Sequence, residues 1–147
     1  MREFEFIQNQ IIDRPLEQVF AFFSDVRNLT RITPPWLDFR VVTPDPIEMR
    51  VGTIIDFRLK LHGIPLGWQT EITEWDPPHR FTDEQRKGPY QRWIHTHTFR
   101  NENGRTHMTD HVRYAAIGGI LVQKLFLGPD IKRIFAFRKE TLHTFFS

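Results

Sequence analysis

The sequence contains no cysteine and only two serines, and these absences exclude several kinds of chemistry. Without cysteine there can be no disulfide scaffold, zinc-thiolate site, iron–sulfur cluster or cysteine nucleophile. Neither Ser24 nor Ser147 lies in a G-x-S-x-G motif, so an α/β-hydrolase triad would have no nucleophile. P-loop, G-x-G-x-x-G and H-E-x-x-H motifs are also absent, which removes the usual evidence for nucleotide binding and zinc proteolysis.

Long apolar runs and concentrations of one charge are missing as well. No stretch approaches the roughly 18 apolar residues needed to span a bilayer, and residues 1–6 lack the apolar core of a signal peptide. The formal net charge is only +2, and the 20 Lys and Arg residues are dispersed. We therefore expect a cytoplasmic protein with no membrane insertion and no nucleic-acid partner.

The length and composition are those of an ordinary globular protein. The chain has 147 residues, of which 39% are hydrophobic and 26% are charged. A chain of this mass buries on the order of 70% of its unfolded surface, which is enough for one core and too little for two. We therefore expect a single domain over residues 1–147.

The hydrophobic pattern predicts one strand, two short helices, a series of strands and a terminal helix. Residues 2–12 form the expected strand, and helices follow from Leu16 to Phe23 and from Ser24 to about Arg31. Alternation between turn signals then predicts antiparallel strands near 37–43, 52–61, 66–75, 79–86, 91–101 and 105–114. Helical spacing resumes near Gly119, and Gly128-Pro129 should kink or divide that helix. The class is therefore α+β, with helices on one face of an antiparallel sheet of six or seven strands.

Alternation also predicts which side chains of the strands face the interior. The inner wall is mostly aromatic and aliphatic with a few polar groups, as is typical of a small-molecule cavity. The candidate ligand-binding residues on this face are Phe57, Trp68, Phe81, Gln85, Trp93, His95, His97, Phe99, Met108 and Asp110. Asp83 is also predicted to point inward.

The hairpin between the last two strands places an imidazole beside a carboxylate. A two-residue loop at Asn103-Gly104 puts Asp110 opposite His97, and a four-residue loop puts it opposite His95. Such a pair is compatible with three roles: satisfied interior polar groups, polar contacts that orient a ligand, or metal ligands with Asp110 completing the H-x-H pair. We predict neither a metal nor a cofactor. The cations of the terminal helix, among them Arg133 and Arg138, are expected on its other faces.

The chain resembles the SRPBCC superfamily, which comprises START-domain and birch-pollen-allergen-like proteins with a helix-grip fold. The resemblance covers essentially the whole chain. Its most specific part runs from Asp83-Glu84-Gln85 through Gly88-Pro89-Tyr90 and Trp93-x-His95-x-His97-x-Phe99 to Asp110 and Tyr114. A second matching segment, in the terminal helix, is Ile134-Phe135-Ala136-Phe137-Arg138. These segments look like a bacterial subgroup of ligand-binding members. The resemblance implies a curved sheet wrapped around a long carboxyl-terminal helix, with a cavity between them.

Two functions are compatible with these observations. The first is binding of a small hydrophobic or aromatic molecule, as a carrier, sensor or sequestering module. The second is a polyketide aromatase or cyclase-like enzyme, in which His95 or His97 would move a proton while Asp110 sets its tautomer.

Overall fold

A seven-stranded antiparallel sheet and a long carboxyl-terminal helix make up the computed structural model, which describes residues 2–116 and 118–147. The strands are β1 (Phe4–Ile12), β2 (Arg40–Val41), β3 (Ile54–Leu61), β4 (Ile64–Asp76), β5 (Arg80–Lys87), β6 (Arg92–Glu102) and β7 (Arg105–Ala115). Their order across the sheet is β1-β7-β6-β5-β4-β3-β2. The predicted antiparallel meander and α+β class are confirmed.

The helices lie at the two ends of the chain. They are α1 (Leu16–Ser24), α2 (Asn28–Arg31), α3 (Gly119–Val122) and α4 (Gly128–Phe145), with a 3₁₀ turn at Pro35–Leu37 and a π-helical segment at Gln123–Leu127. None of the helices in the described part of the chain is long and apolar enough to cross a membrane.

Two tight turns fix the register of the sheet. His62 and Gly63 join β3 to β4, and Asn103 and Gly104 join β6 to β7, with φ values of 51°, 79°, 54° and 84°. Positive φ at both central residues is the type I′ geometry, which matches the twist of a hairpin. The Asn103-Gly104 turn is therefore the two-residue loop, and Asp110 pairs with His97 across the strands.

The segment after α1 differs from its prediction in two places. The second helix begins at Asn28 rather than Ser24, because Asp25 is extended and its carboxylate accepts a hydrogen bond from the Arg27 backbone N–H at 3.0 Å. The strand expected over 37–43 is only the two-residue β2. A 3₁₀ turn occupies Pro35–Leu37, and Asp38 has a left-handed φ of 43°, so extended backbone starts later than predicted.

The irregularity of the terminal helix lies directly before Gly128-Pro129. Pro129 has no N–H to donate to the preceding turn, and the Gly128 N–H bonds to the Gln123 carbonyl, five residues back. A Cβ at Gly128 would lie 2.8 Å from Gln123 Nε2 and 3.1 Å from its carbonyl oxygen, so a larger residue would have to displace the Gln123 side chain and shift the backbone slightly. The predicted division at this dipeptide is confirmed.

One stripe of α4 faces the sheet. Its buried residues are Ile131, Phe135, Arg138 and Leu142. The intervals of four, three and four residues are those of one helix face. The helix thus presents three apolar side chains and one cation to the interior.

Candidate functional site

An internal cavity of about 200 Å³ lies between the sheet and α4. The sheet contributes mainly apolar side chains to its wall, among them Ile55, Phe57, Leu59, Trp68, Ile72, Phe81 and Trp93, and α4 contributes Ile131, Ile134, Phe135 and Arg138. We call the part of the interior around Ile55, Phe57, Trp68 and Trp93 the hollow end. The cavity is predominantly apolar, and its ionisable lining residues on the sheet and α4 are Asp83, His95, His97 and Arg138.

A polar cluster, formed by Asp83, His95, His97 and Asp110, lies on the inner face of β5, β6 and β7. His95 Nε2 is 2.8 Å from Asp110 Oδ1, and His97 Nε2 is 2.8 Å from Asp83 Oδ2. The two imidazole rings stack with centroids 3.6 Å apart. Each histidine therefore has its own carboxylate partner, and the hydrogen bond of Asp110 crosses diagonally to His95 although its strand partner is His97.

The hydrogen bonds fix the tautomers of the neutral histidines. An ionised carboxylate only accepts, so each neutral ring carries its proton on Nε2 and leaves Nδ1 as an acceptor. His97 Nδ1 is buried without a hydrogen-bond partner among the described residues, and it lies 3.5 Å from Asp110 Oδ1. Among the described residues, the Nδ1 lone pair of His97 is thus buried without a donor.

Burial controls the charge of His97. Desolvation, together with the neighbouring His95, lowers the pKa of His97 to about 4 despite its contact with Asp83. His97 is therefore neutral at pH 7.

The two carboxylates of the cluster remain ionised at neutral pH. Burial opposes ionisation of Asp110, but the His95 hydrogen bond and the charge of Arg138 outweigh it and lower the pKa to about 2. Burial likewise opposes ionisation of Asp83, and the hydrogen bond from His97 and the nearby positive charges lower its pKa overall. The cluster thus combines two fixed negative charges with the neutral ring of His97.

Arg138 is the main site residue that the sequence analysis placed incorrectly. It was expected on an outer face of the helix, but it is only 8% exposed and lines the cavity. Its guanidinium carbon lies 5.5 Å from the Phe23 ring centroid and 5.6 Å from that of Phe135. The signal was present in the sequence, because Arg138 continues the helical spacing of Ile131, Phe135 and Leu142.

The ten candidate ligand-binding residues divide into two groups. Those that line the cavity are Phe57, Trp68, Phe81, Trp93, His95 and His97, whereas Gln85, Phe99, Met108 and Asp110 do not. Asp110 is fully buried behind the histidines and reaches the cavity only through them. Its expected contact with a histidine is present.

Phe99 and Met108 belong to a densely packed region instead. We call this region, which comprises Phe20, Phe99, Met108 and Leu142, the packed end of the interior. The Phe99 ring lies 5.2 Å from that of Phe20 and 5.4 Å from that of Phe23, both on α1. The expectation that Phe99 and Met108 line the cavity is wrong, because α1 covers this part of the sheet.

Gln85 holds a loop rather than lining the cavity. Its side-chain amide donates to the Tyr90 carbonyl at 2.7 Å, and its side-chain oxygen accepts from the Tyr90 N–H at 3.1 Å. This two-point bond, the Gln85 clasp, positions Tyr90 at the cavity wall, where its ring packs against Trp93 at 4.9 Å and Trp68 at 5.7 Å. Tyr90 was not among the predicted ligand-binding residues, because it lies in a loop where alternation carries no information.

One trio of side chains has the composition of a metal site. Donor atoms of Asp83, His95 and His97 lie within 4.8 Å of one another, so Asp83 rather than Asp110 would complete the H-x-H pair. In this arrangement Asp110 would orient His95 from behind. The His97–Asp83 hydrogen bond would have to be replaced by metal coordination, and the positive charge of Arg138 opposes a second cation nearby. The absence of a metal stays a prediction.

The curved sheet closing on α4 over a cavity defines the helix-grip class of proteins. Residues 12–139 match the family model described as polyketide cyclase / dehydrase and lipid transport. The chain belongs to this family and thereby to the SRPBCC superfamily. A search of curated proteins gave no match.

Solved structures from bacteria and plants share the fold. A Chromobacterium violaceum protein is 14% identical with a TM-score of 0.77, covering 97% of this chain and 96% of its own. A Thermus thermophilus protein is 20% identical with a TM-score of 0.70, covering 97% and 99%. A major latex-like protein from Panax ginseng is 11% identical with a TM-score of 0.72, covering 98% and 97%. At these identities the similarity establishes the fold alone.

Proposed function

We propose that this protein binds a small apolar or aromatic molecule in the cavity between the sheet and α4, as a carrier, sensor or sequestering module. The observation that carries this proposal is the cavity itself, about 200 Å³ in volume with a mainly aromatic and aliphatic wall. An engineered protein cavity of about 150 Å³ is known to bind benzene. The volume here therefore matches a ligand of one or two rings better than a long acyl chain or an extended polycycle.

The wall chemistry supports the same ligand class. Trp68 and Trp93 meet edge to face with centroids 5.3 Å apart, and Phe57 and Phe135 also line the cavity. Aromatic walls favour flat apolar ligands through area burial and edge-to-face contacts. The polar cluster at β5 and β6 would orient such a ligand rather than supply most of its binding free energy.

The experiment is calorimetric titration of the purified protein with naphthalene. We expect saturable one-to-one binding, which Ile55→Trp should abolish because the larger ring fills the cavity. Ile54→Trp is the matched control, since Ile54 lies next to Ile55 on β3, is 41% exposed and points to the opposite face. No binding to the wild type, or equal binding by both variants, would contradict the proposal. Native mass spectrometry of gently purified protein would identify a natural ligand.

The second candidate is a polyketide aromatase or cyclase-like enzyme. The position of His95 and His97 at the cavity wall favours it, because an imidazole beside a bound ligand can accept a proton from it. The low pKa of His97, about 4, makes this ring a weak base at neutral pH, so we favour binding. Turnover of a polyketide-like substrate that His97→Gln abolishes would establish the enzyme.

A further inference from the structure

Arg138 is a buried cation with unused hydrogen-bond donors. Its Nε and Nη2 atoms are inaccessible to solvent and have no hydrogen-bond partner among the residues that the structure describes. Leaving donors of a charged group unpaired in an apolar interior is costly, and buried polar groups are normally paired. Arg138 also lines the wall of the cavity, so a ligand bound there would lie beside this unpaired side chain.

Two aromatic rings restrict the position of the guanidinium. Phe23 from α1 and Phe135 from α4 each lie within 5.6 Å of its central carbon. These contacts hold the group without using its N–H donors. The guanidinium is thus held beside the cavity wall by contacts that use none of its N–H donors.

The charges around Arg138 select between two kinds of acceptor. Asp83 and Asp110 both sense the positive charge of Arg138, which contributes to lowering their pKa values. Two ionised carboxylates thus already lie in the polar cluster near this guanidinium. A ligand carboxylate would add a third buried negative charge, whereas a carbonyl oxygen accepts the same N–H donors and adds none.

We propose that Arg138 is a specificity-determining residue that donates hydrogen bonds to a neutral carbonyl oxygen on a ring-bearing ligand. This inference rests on the proposed function and narrows it, from any small apolar or aromatic molecule to aryl ketones, aldehydes, quinones and related carbonyl compounds. Arg138 recognises the oxygen, and the apolar wall recognises the ring.

Three probes with equal numbers of non-hydrogen atoms test the proposal by calorimetric titration. Acetophenone carries the carbonyl, α-methylstyrene replaces its oxygen with a methylene group, and benzoate carries a carboxylate. We expect the wild type to bind acetophenone about tenfold more tightly than either of the others, as a hydrogen bond to a charged donor implies. Equal affinity for acetophenone and α-methylstyrene, or tightest binding of benzoate, would overturn the inference.

Variants locate the preference at Arg138. Arg138→Met keeps an unbranched side chain but removes the guanidinium and all its N–H donors, and it should bind acetophenone and α-methylstyrene equally. Arg133→Met is the matched control, because Arg133 lies on the same helix beside the exposed Trp36, 5.0 Å from its ring, and does not line the main cavity. This control should keep the wild-type preference. A preference that persists in Arg138→Met would contradict the proposal.

The results of these titrations distinguish a failure of this inference from a failure of the proposed function. Binding of α-methylstyrene without a preference for acetophenone would retain the cavity function and remove the role of Arg138. Binding of none of the probes would overturn both. If Arg138→Met fails to fold, Arg138→Leu replaces it, because leucine also has no N–H donor, and a preference for acetophenone that persists in this variant would then contradict the proposal. The wild-type probe series needs no variant and can overturn the inference by itself.

Discussion

The packed end and the hollow end lie under the same helix and on the same sheet, yet only one of them contains space. At the packed end, α1 places Phe20 against Phe99, and Met108 and Leu142 are completely buried. At the hollow end, Phe57, Trp68 and Trp93 face α4 across the cavity, and α1 contributes only its last residues. The comparison shows that alternation along a strand selects the inner face, whereas the placement of a distant helix decides whether that face is packed.

The largest expected difference between the two ends is in stability. Phe99→Ala removes a fully packed ring and should lower the free energy of unfolding by about 3–5 kcal/mol. Trp68→Ala, at a wall that already borders open space, should cost less than half of that. Urea denaturation followed by far-ultraviolet circular dichroism measures both values. Equal losses would show that the hollow end is as tightly packed as the other.

A smaller difference is expected in the dependence of stability on pH. The pKa of His97 is lowered from 6.5 to about 4 in the folded protein, so the unfolded chain binds the proton more tightly. The stabilisation from neutral His97 is complete above pH 6.5 and is lost as the pH falls to 4, by about 3 kcal/mol. His97→Gln should remove this loss. The measurement is the free energy of unfolding of both proteins at intervals from pH 7 to pH 4, and parallel curves would contradict the prediction.

The smallest effect concerns the loop that completes the hollow end. A Cβ at Gly88 would lie 2.5 Å from Gln85 Oε1, so Gly88→Ala should displace the Gln85 clasp and with it Tyr90. We expect a loss of about 1 kcal/mol in stability and several-fold weaker naphthalene binding. Gly67→Ala is the control, because a Cβ there meets nothing closer than 4.0 Å. Unchanged naphthalene binding by Gly88→Ala would show that the Gln85 clasp does not contribute to ligand binding in the cavity.

The features predicted successfully from the sequence are those with local causes. The hairpin turn at Asn103-Gly104, the alternation of β3 to β7 and the break before Pro129 all follow from the conformational preferences of a few neighbouring residues. The inward position of His95, His97 and Asp110 follows from the same alternation.

The features missed depend on contacts between distant segments. Phe99 and Met108 face inward as predicted, but their burial by α1 is set by tertiary packing. Because it is charged, Arg138 was expected on the surface. Its helical spacing from Ile131, Phe135 and Leu142 indicates the interior only when its charge is disregarded. The partner of His97 is Asp83 rather than Asp110, because side chains of neighbouring strands meet diagonally as well as directly opposite.

The type I′ turn at Asn103-Gly104 determines which ionisable groups the interior receives. Because side chains on a strand alternate, one residue added to this turn would rotate β7 by one position and exchange its two faces. The inner face would then present His107, Thr109 and His111 in place of Met108 and Asp110, and His95 would lose its carboxylate. Two added residues would restore the alternation. The length of a solvent-exposed loop six residues away thus decides whether a carboxylate or imidazoles lie on the inner face of β7.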